Sequence, residues 1–262
     1  MRSFIALCGA VLALSACGGS DEPEENTLDV RGDEYAFVMP DQARPGWTTL
    51  DFRNTGDEPH EFALFRLDEG KSIDDVRALL ADPKTQQQGP PDWLTIVAGI
   101  PTLAGGEEAT LTQDLEPGRH VLVCFLEGPS GRPHFVDGMI EELEVTGESR
   151  GDEPDADAVL ELGEGLAAPD VEPGEQTLEF RNGAKEPASL FLVAYEPGKT
   201  ATDLAAWEEA GGRGPSPARF LGGIIDVPAG SSAYYTFAFE RGREYTLLDD
   251  QHGRELSFTP AD

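Results

Sequence analysis

The residues that most often carry chemistry are scarce in this chain. Its 262 residues include four histidines, three cysteines and three methionines. Positive charge is scarce as well: 19 Lys and Arg face 50 Asp and Glu, a formal net charge of −31. So acidic a balance argues against nucleic acid and against anionic membrane surfaces as partners. It is compatible with a basic partner or a salty habitat. Neither an H-E-x-x-H zinc motif nor a glycine-rich phosphate loop occurs.

Long apolar runs are also missing beyond the start. Residues 1–17, "MRSFIALCGAVLALSAC", hold one basic residue (Arg2), an apolar run from Phe4 to Leu14, then small residues. That is the pattern of an export signal, too short to span a bilayer. Its end, "LSAC", resembles the lipobox of bacterial lipoproteins. The resemblance implies cleavage before Cys17, a lipid on Cys17 and a flexible linker at 18–27. The expected location is extracytoplasmic, on the cell surface or in the periplasm, with the membrane as partner through the lipid anchor. Cys8 leaves with the signal, so Cys124 is the one free thiol of an exported protein. Such a thiol is expected to be buried or ligated.

What is present is a repeat. "RPGWTTLDFRNTGDEPHEFALF" (44–65) matches "EPGEQTLEFRNGAKEPASLFLV" (172–193), and "DEGKSIDDVRALL" matches "EPGKTATDLAAWE" at the same offset. After a short gap "EPGRHVLVCF" matches "ERGREYTLLDD". Two homologous domains are expected, 28–147 and 158–260, joined by a solvated acidic linker at 148–157. Stretches such as "TTLDFRN", "HEFALFRL" and "EATLTQDL" alternate apolar and polar residues at period two, with "EPG" and "AGG" turns between them. "SIDDVRALLAD" and "TATDLAAWEEA" read as one short helix per domain, with Ser72 and Thr200 at the N-caps. Short strands and turns in this number predict an all-β fold, two tandem β-sandwiches each with a short helical insertion.

The first repeat also carries a constellation. Cys124 ends the strand "HVLVC"; the loop "FLEGPSGRP" follows, then His134, "FVDG" and Met139, where a new strand begins. His60 follows the turn "NTGDEP" and opens the strand "HEFALF". One thiolate, two imidazoles and a thioether suit a copper ion that must satisfy both soft and borderline ligands. A His₂Cys trigonal set with a long axial Met is the blue-copper pattern.

This arrangement resembles the cupredoxins, the type 1 copper proteins. The nine-residue spacer between Cys124 and His134 resembles the long loop of the type 1 site in copper nitrite reductases. The four-residue gap to Met139 and the "GM" before a last strand fit as well. The resemblance implies Greek-key sandwiches. It makes His60, Cys124 and His134 equatorial ligands and Met139 axial, for one copper ion in the first domain. Phe125 and Phe135 are expected to shield the ion. Glu127 is near enough in sequence to replace Met139 in a non-blue site. His120, four residues before Cys124 on the same strand face, lies about 13 Å from it. It reads as structural or as part of a surface path, and not as a metal ligand.

In the second repeat Ala188 stands where His60 stands, and Leu248 is expected where Cys124 stands; His252 reads as a turn residue. The second domain is therefore expected to lack metal ligands. With four histidines in all, a multicopper oxidase is excluded and a reductase disfavoured, so no enzyme is expected. Three readings stay open at this point. The first is one-electron transfer with a redox protein partner, and the second is a copper chaperone or buffer. The third is a metal-free two-domain surface or interaction protein.

Overall fold

The computed structural model describes residues 26–82, 90–163, 165–209, 215–249 and 253–261. The expected export signal, Cys17, most of the expected first linker and His252 lie outside the described residues.

In the first repeat the chain runs β1 (Thr27–Asp33), β2 (Ala36–Val38), β3 (Gln42–Ala43), β4 (Gly46–Asn54), β5 (His60–Leu67), α1 (Ile73–Leu80), β6 (Leu94–Leu103), β7 (Glu108–Leu115), β8 (Gly118–Val123), α2 (His134–Asp137) and β9 (Ile140–Val145). The second continues with β10 (Ala158–Leu162), β11 (Gly174–Asn182), β12 (Ala188–Tyr195), α3 (Ala201–Glu209), β13 (Ala218–Val227), β14 (Ser232–Phe239), β15 (Tyr245–Asp249) and β16 (Arg254–Phe258). The fold is all-β, two sandwiches in tandem, and each carries the expected short helix between its fifth- and sixth-strand equivalents. Period-two alternation makes the strands: β1 buries Leu28, Val30 and Gly32 and turns the residues between them to water. The helices start where their caps allow. Ser72 and Thr200 each give a backbone N–H and a hydroxyl to the carboxylate three residues on, Asp75 and Asp203, at 3.0 Å.

Three sheets form: β10-β11-β14-β7-β4-β1-β2, β3-β9-β8-β5-β6 and β13-β12-β15-β16. In the first repeat β4 leads across to β5 and β6, and β7 returns to lie antiparallel beside β4, a Greek-key path. The second repeat takes the same path, with β14 beside β11.

The seven-stranded sheet runs through both repeats because β7 pairs antiparallel with β14, placing Leu111 opposite Tyr235. Leu111 faces Leu50, and Tyr235 faces Leu178, its equivalent, so the pair sits on a local twofold axis. One continuous apolar core extends under the seam, from Leu28, Phe52 and Leu111 to Phe180, Tyr235 and Phe258. The Tyr235 hydroxyl donates to the Gly99 carbonyl of the other repeat. The acidic segment 148–157 has no helix or strand, yet it is held to both halves. The Arg150 N–H donates to the Pro45 carbonyl at 2.8 Å, the Tyr234 hydroxyl to Glu153 at 2.6 Å and the Thr177 N–H to Asp157 at 2.7 Å.

Candidate metal centre

His60 is delivered by an asparagine turn. Asn54, the last residue of β4, donates through Nδ2 to the carbonyls of Glu58 (2.8 Å) and Leu103 (2.9 Å) and accepts the Gly56 N–H through Oδ1. The chain can then reverse only along one path, and His60 becomes the first residue of β5. Asn182 builds the same turn in the second repeat, donating to Glu186 and Val227. The turn therefore belongs to the scaffold, and the histidine is an addition to it.

The other residues come from the segment between β8 and β9. It contains a feature the pattern reading missed, the single-turn α2, which opens at His134 after Pro133. Four residues are too few for a 3.6-residue period to register. The Met139 N–H donates to the His134 carbonyl at 2.9 Å, and the Cys124 N–H to the Met139 carbonyl at 3.2 Å. The Phe135 N–H donates to the Cys124 carbonyl at 3.1 Å, and the His134 N–H to the Leu126 carbonyl at 2.8 Å. Main-chain bonds thus tie Cys124, His134 and Met139 to one another.

The side chains converge. His60 Nδ1 lies 3.2 Å from His134 Nδ1, which lies 3.5 Å from Cys124 Sγ. All three donor atoms fall within 4.8 Å of one another and all three residues are buried. Three ligands about 2.0–2.3 Å from a common ion stand roughly 3.3–4 Å apart, so the triangle has the size of a metal site. Burial holds the His60 imidazole down at about 4, with the neighbouring His134 adding to the effect, and lowers His134 too. Both rings are therefore neutral at pH 7, the form in which an imidazole can ligate a metal. Burial pushes the Cys124 thiol up to about 12, with the Glu61 carboxylate contributing. Met139 is fully buried, with its methyl carbon 3.2 Å from where a Cβ on Gly32 would stand.

Several neighbours were not legible in advance. Glu58 accepts from His134 Nε2 at 3.1 Å and from the Tyr35 hydroxyl at 3.0 Å. Glu61, next to His60, has its carboxyl raised by burial and accepts from Thr102. The carboxylate that reaches the cluster is thus that of Glu58. Glu127 is exposed, and its backbone bridges to Pro133. Phe125 and Phe135 do not face the donor atoms. They pack with each other and with Phe65 on the outer side of the sheet, among the residues under α1, and Phe125 is 38% exposed. Cys124 and Met139 belong to the inner core, whose aromatics in the first repeat are Phe37, Phe52 and Phe62. Side-chain alternation along the strand accounts for this: Phe125 follows an inward-facing Cys124 and must face outward. His120 is fully buried, which fits the structural reading and not a surface path, with Nδ1 on the Gly118 carbonyl at 3.3 Å.

The structural equivalence in the second repeat differs from the sequence alignment by one residue. Ala63 pairs with Val123, and its equivalent Phe191 pairs with Leu248. Leu248 therefore matches Val123, and Asp249 holds the Cys124 position. The matching "EPGR" and "ERGR" turns set the alignment one residue short of the strand register. Asp249 is buried and paired with Arg254, whose guanidinium also donates to the Gly163 carbonyl at 3.2 Å. At that position the second repeat holds an ion pair, and Ala188, paired with Val227 as His60 is with Leu103, holds the His60 position.

Gly147–Gly151, "GESRG", has the G-x-S-x-G spacing of a nucleophile elbow. It lies in the irregular segment after β9 and not between a strand and a helix, so it lacks that motif's context.

No family model and no curated protein matches the chain. Among solved structures, a dithionite-reduced auracyanin from the photosynthetic bacterium Roseiflexus castenholzii is 23% identical, covering 47% of this chain and 98% of its own, with a TM-score of 0.34. Auracyanin A, a blue copper protein from Chloroflexus aurantiacus, is 23% identical, covering 46% and 98%, at a TM-score of 0.31. A multicopper oxidase is 15% identical over 90% of this chain and 88% of its own, at 0.28. Likenesses at these scores carry no weight for function, which rests on the geometry of the site.

Proposed function

We propose that the chain is a cupredoxin-like, lipid-anchored extracytoplasmic protein that holds one copper ion in its first repeat and passes single electrons through it. The observation that carries this reading is the burial of two imidazoles and a thiol, from two separate parts of the chain, with donor atoms within 4.8 Å of one another. His60, Cys124 and His134 would be the equatorial ligands and Met139 the axial one. Copper held there would cycle between Cu(I) and Cu(II), which this mixture of soft and borderline donors accommodates in both states. Cys124 binds as thiolate and so gives up its proton on loading. The main-chain bonds around Cys124, His134 and Met139 hold the donors in place, and burial keeps water away.

Burial of the whole donor set favours electron transfer over open copper handling. No further histidine cluster supplies a second centre for oxygen or nitrite chemistry, since His120 and His252 alone remain, so the reading is of a carrier and not an enzyme. The domains are taken as 28–147, with the ion, and 158–260, without it, behind the linkers 18–27 and 148–157. Cys17 is taken as the lipidated residue and an exported redox protein as the partner.

The test is the visible spectrum of residues 27–262, reduced and titrated with Cu(II), beside Cys124→Ser. An intense thiolate-to-copper band at one ion per chain, absent from the variant, is the expected result. Copper bound without that band would point to handling. No stoichiometric binding would sink both copper readings.

A further inference from the structure

The hairpin turn between β1 and β2 consists of Glu34 and Tyr35, with Asp33 paired to Ala36 across it. Tyr35 has φ 59°, and among the described residues it is the only non-glycine with positive φ. Glycine or asparagine ordinarily takes such a place. A bulky residue kept there against its backbone preference points to a function for its side chain. That side chain reaches the metal centre. The Tyr35 hydroxyl donates to Glu58 Oε1 at 3.0 Å, while Glu58 Oε2 accepts from His134 Nε2 at 3.1 Å. The Tyr35 ring also stands edge-on to the imidazole, centroids 5.2 Å apart. Its neighbour Glu34 takes the Asp57 N–H at 2.5 Å. Two consecutive residues therefore grip the turn that precedes His60. Gly128 closes the group from the other side. A Cβ there would stand 3.3 Å from Glu58 Oε2 and 3.4 Å from both His134 Nε2 and the Tyr35 hydroxyl.

We infer that Tyr35 and Glu58 are positioning residues that lock His134 as its Nε2–H tautomer, so that the lone pair of Nδ1 faces Cys124 before any ion arrives. A carboxylate acceptor on the far nitrogen fixes which nitrogen is free to ligate and the angle of the ring. Glu58 makes that bond, and Tyr35 holds Glu58 in place. This deepens the copper reading and rests on it for its purpose, though not for its geometry.

The experiment has two arms, on wild type, Glu58→Gln, Glu58→Leu and Tyr35→Phe. In the metal-free protein at pH 7, long-range ¹H–¹⁵N correlation spectra read the tautomer of His134. Wild type should show Nε2–H alone. Glu58→Leu should show a mixture, and Glu58→Gln, which keeps an acceptor oxygen, should restore most of the wild-type pattern. In the second arm, competition against a chelator reads copper affinity. Glu58→Leu should lose roughly 10- to 100-fold, Tyr35→Phe less and Glu58→Gln least. Wild-type tautomer and affinity in a folded Glu58→Leu would overturn the inference. So would a tautomer mixture in wild type. If wild type takes up no copper, the parent reading fails while the first arm still decides this one. If Glu58→Leu does not fold, Tyr35→Phe and Glu58→Gln carry the comparison.

Discussion

His120 is fully buried, and burial lowers its imidazole from the ordinary 6.5 to about 4. As pH falls the unfolded chain takes up this proton first. The stability tied to a neutral His120 is full above about pH 6.5 and is lost as pH drops toward 4, by about 3 kcal/mol at most. Urea midpoints at pH 7.5 and 4.5 should therefore fall further in wild type than in His120→Gln. Comparing the two proteins cancels the easing of charge repulsion that acid brings to a −31 chain. Equal changes in both would remove His120 as the cause. Legibility at this scale followed rarity. Cys124 stood out as the only cysteine outside the expected export signal and its lipidation site, and His60 and His134 stood out among four histidines. Glu58 and Glu61 are two of 50 acidic residues, and Tyr35 lies 99 positions from His134. No spacing rule marks them, because through-space contacts between common residue types leave no local pattern.

Among elements, the strands and both longer helices were legible because alternation and caps are local signals. α2 and the β15 register were not. The first is shorter than its own period, and the second turns on a one-residue shift that only strand pairing reveals. The turn before His60 gives a sharper forecast. A Cβ on Gly56 would stand 2.9 Å from His60 Nε2 and 2.8 Å from Glu34 Oε1. Gly56→Ala should therefore displace the imidazole or the Glu34 clamp. Copper binding should weaken by at least tenfold while the far-UV circular dichroism stays that of wild type. Unchanged binding would mean that the turn yields without moving the ring.

The molecule as a whole has one sheet and one core running across the seam. Its two repeats should melt as one unit. Calorimetry of the metal-free chain should give a single transition whose van't Hoff and calorimetric enthalpies agree. Leu111→Ala, at the centre of the seam, should lower that single transition by about 2–5 kcal/mol of stability without splitting it. Two resolved transitions would show that the halves unfold independently.

The β7–β14 pairing has a consequence for how such a chain can exist alone. By itself either half would present a long strand with unpaired amides and carbonyls, a template for joining another chain edge to edge. Here each half closes the other's open side, in the geometry that two identical subunits would adopt about a shared axis. The polypeptide is in effect a dimer that cannot dissociate. Because its subunits are covalently joined, one can carry Asp249 and Ala188 where the other has Cys124 and His60 and remain as that half's permanent cover.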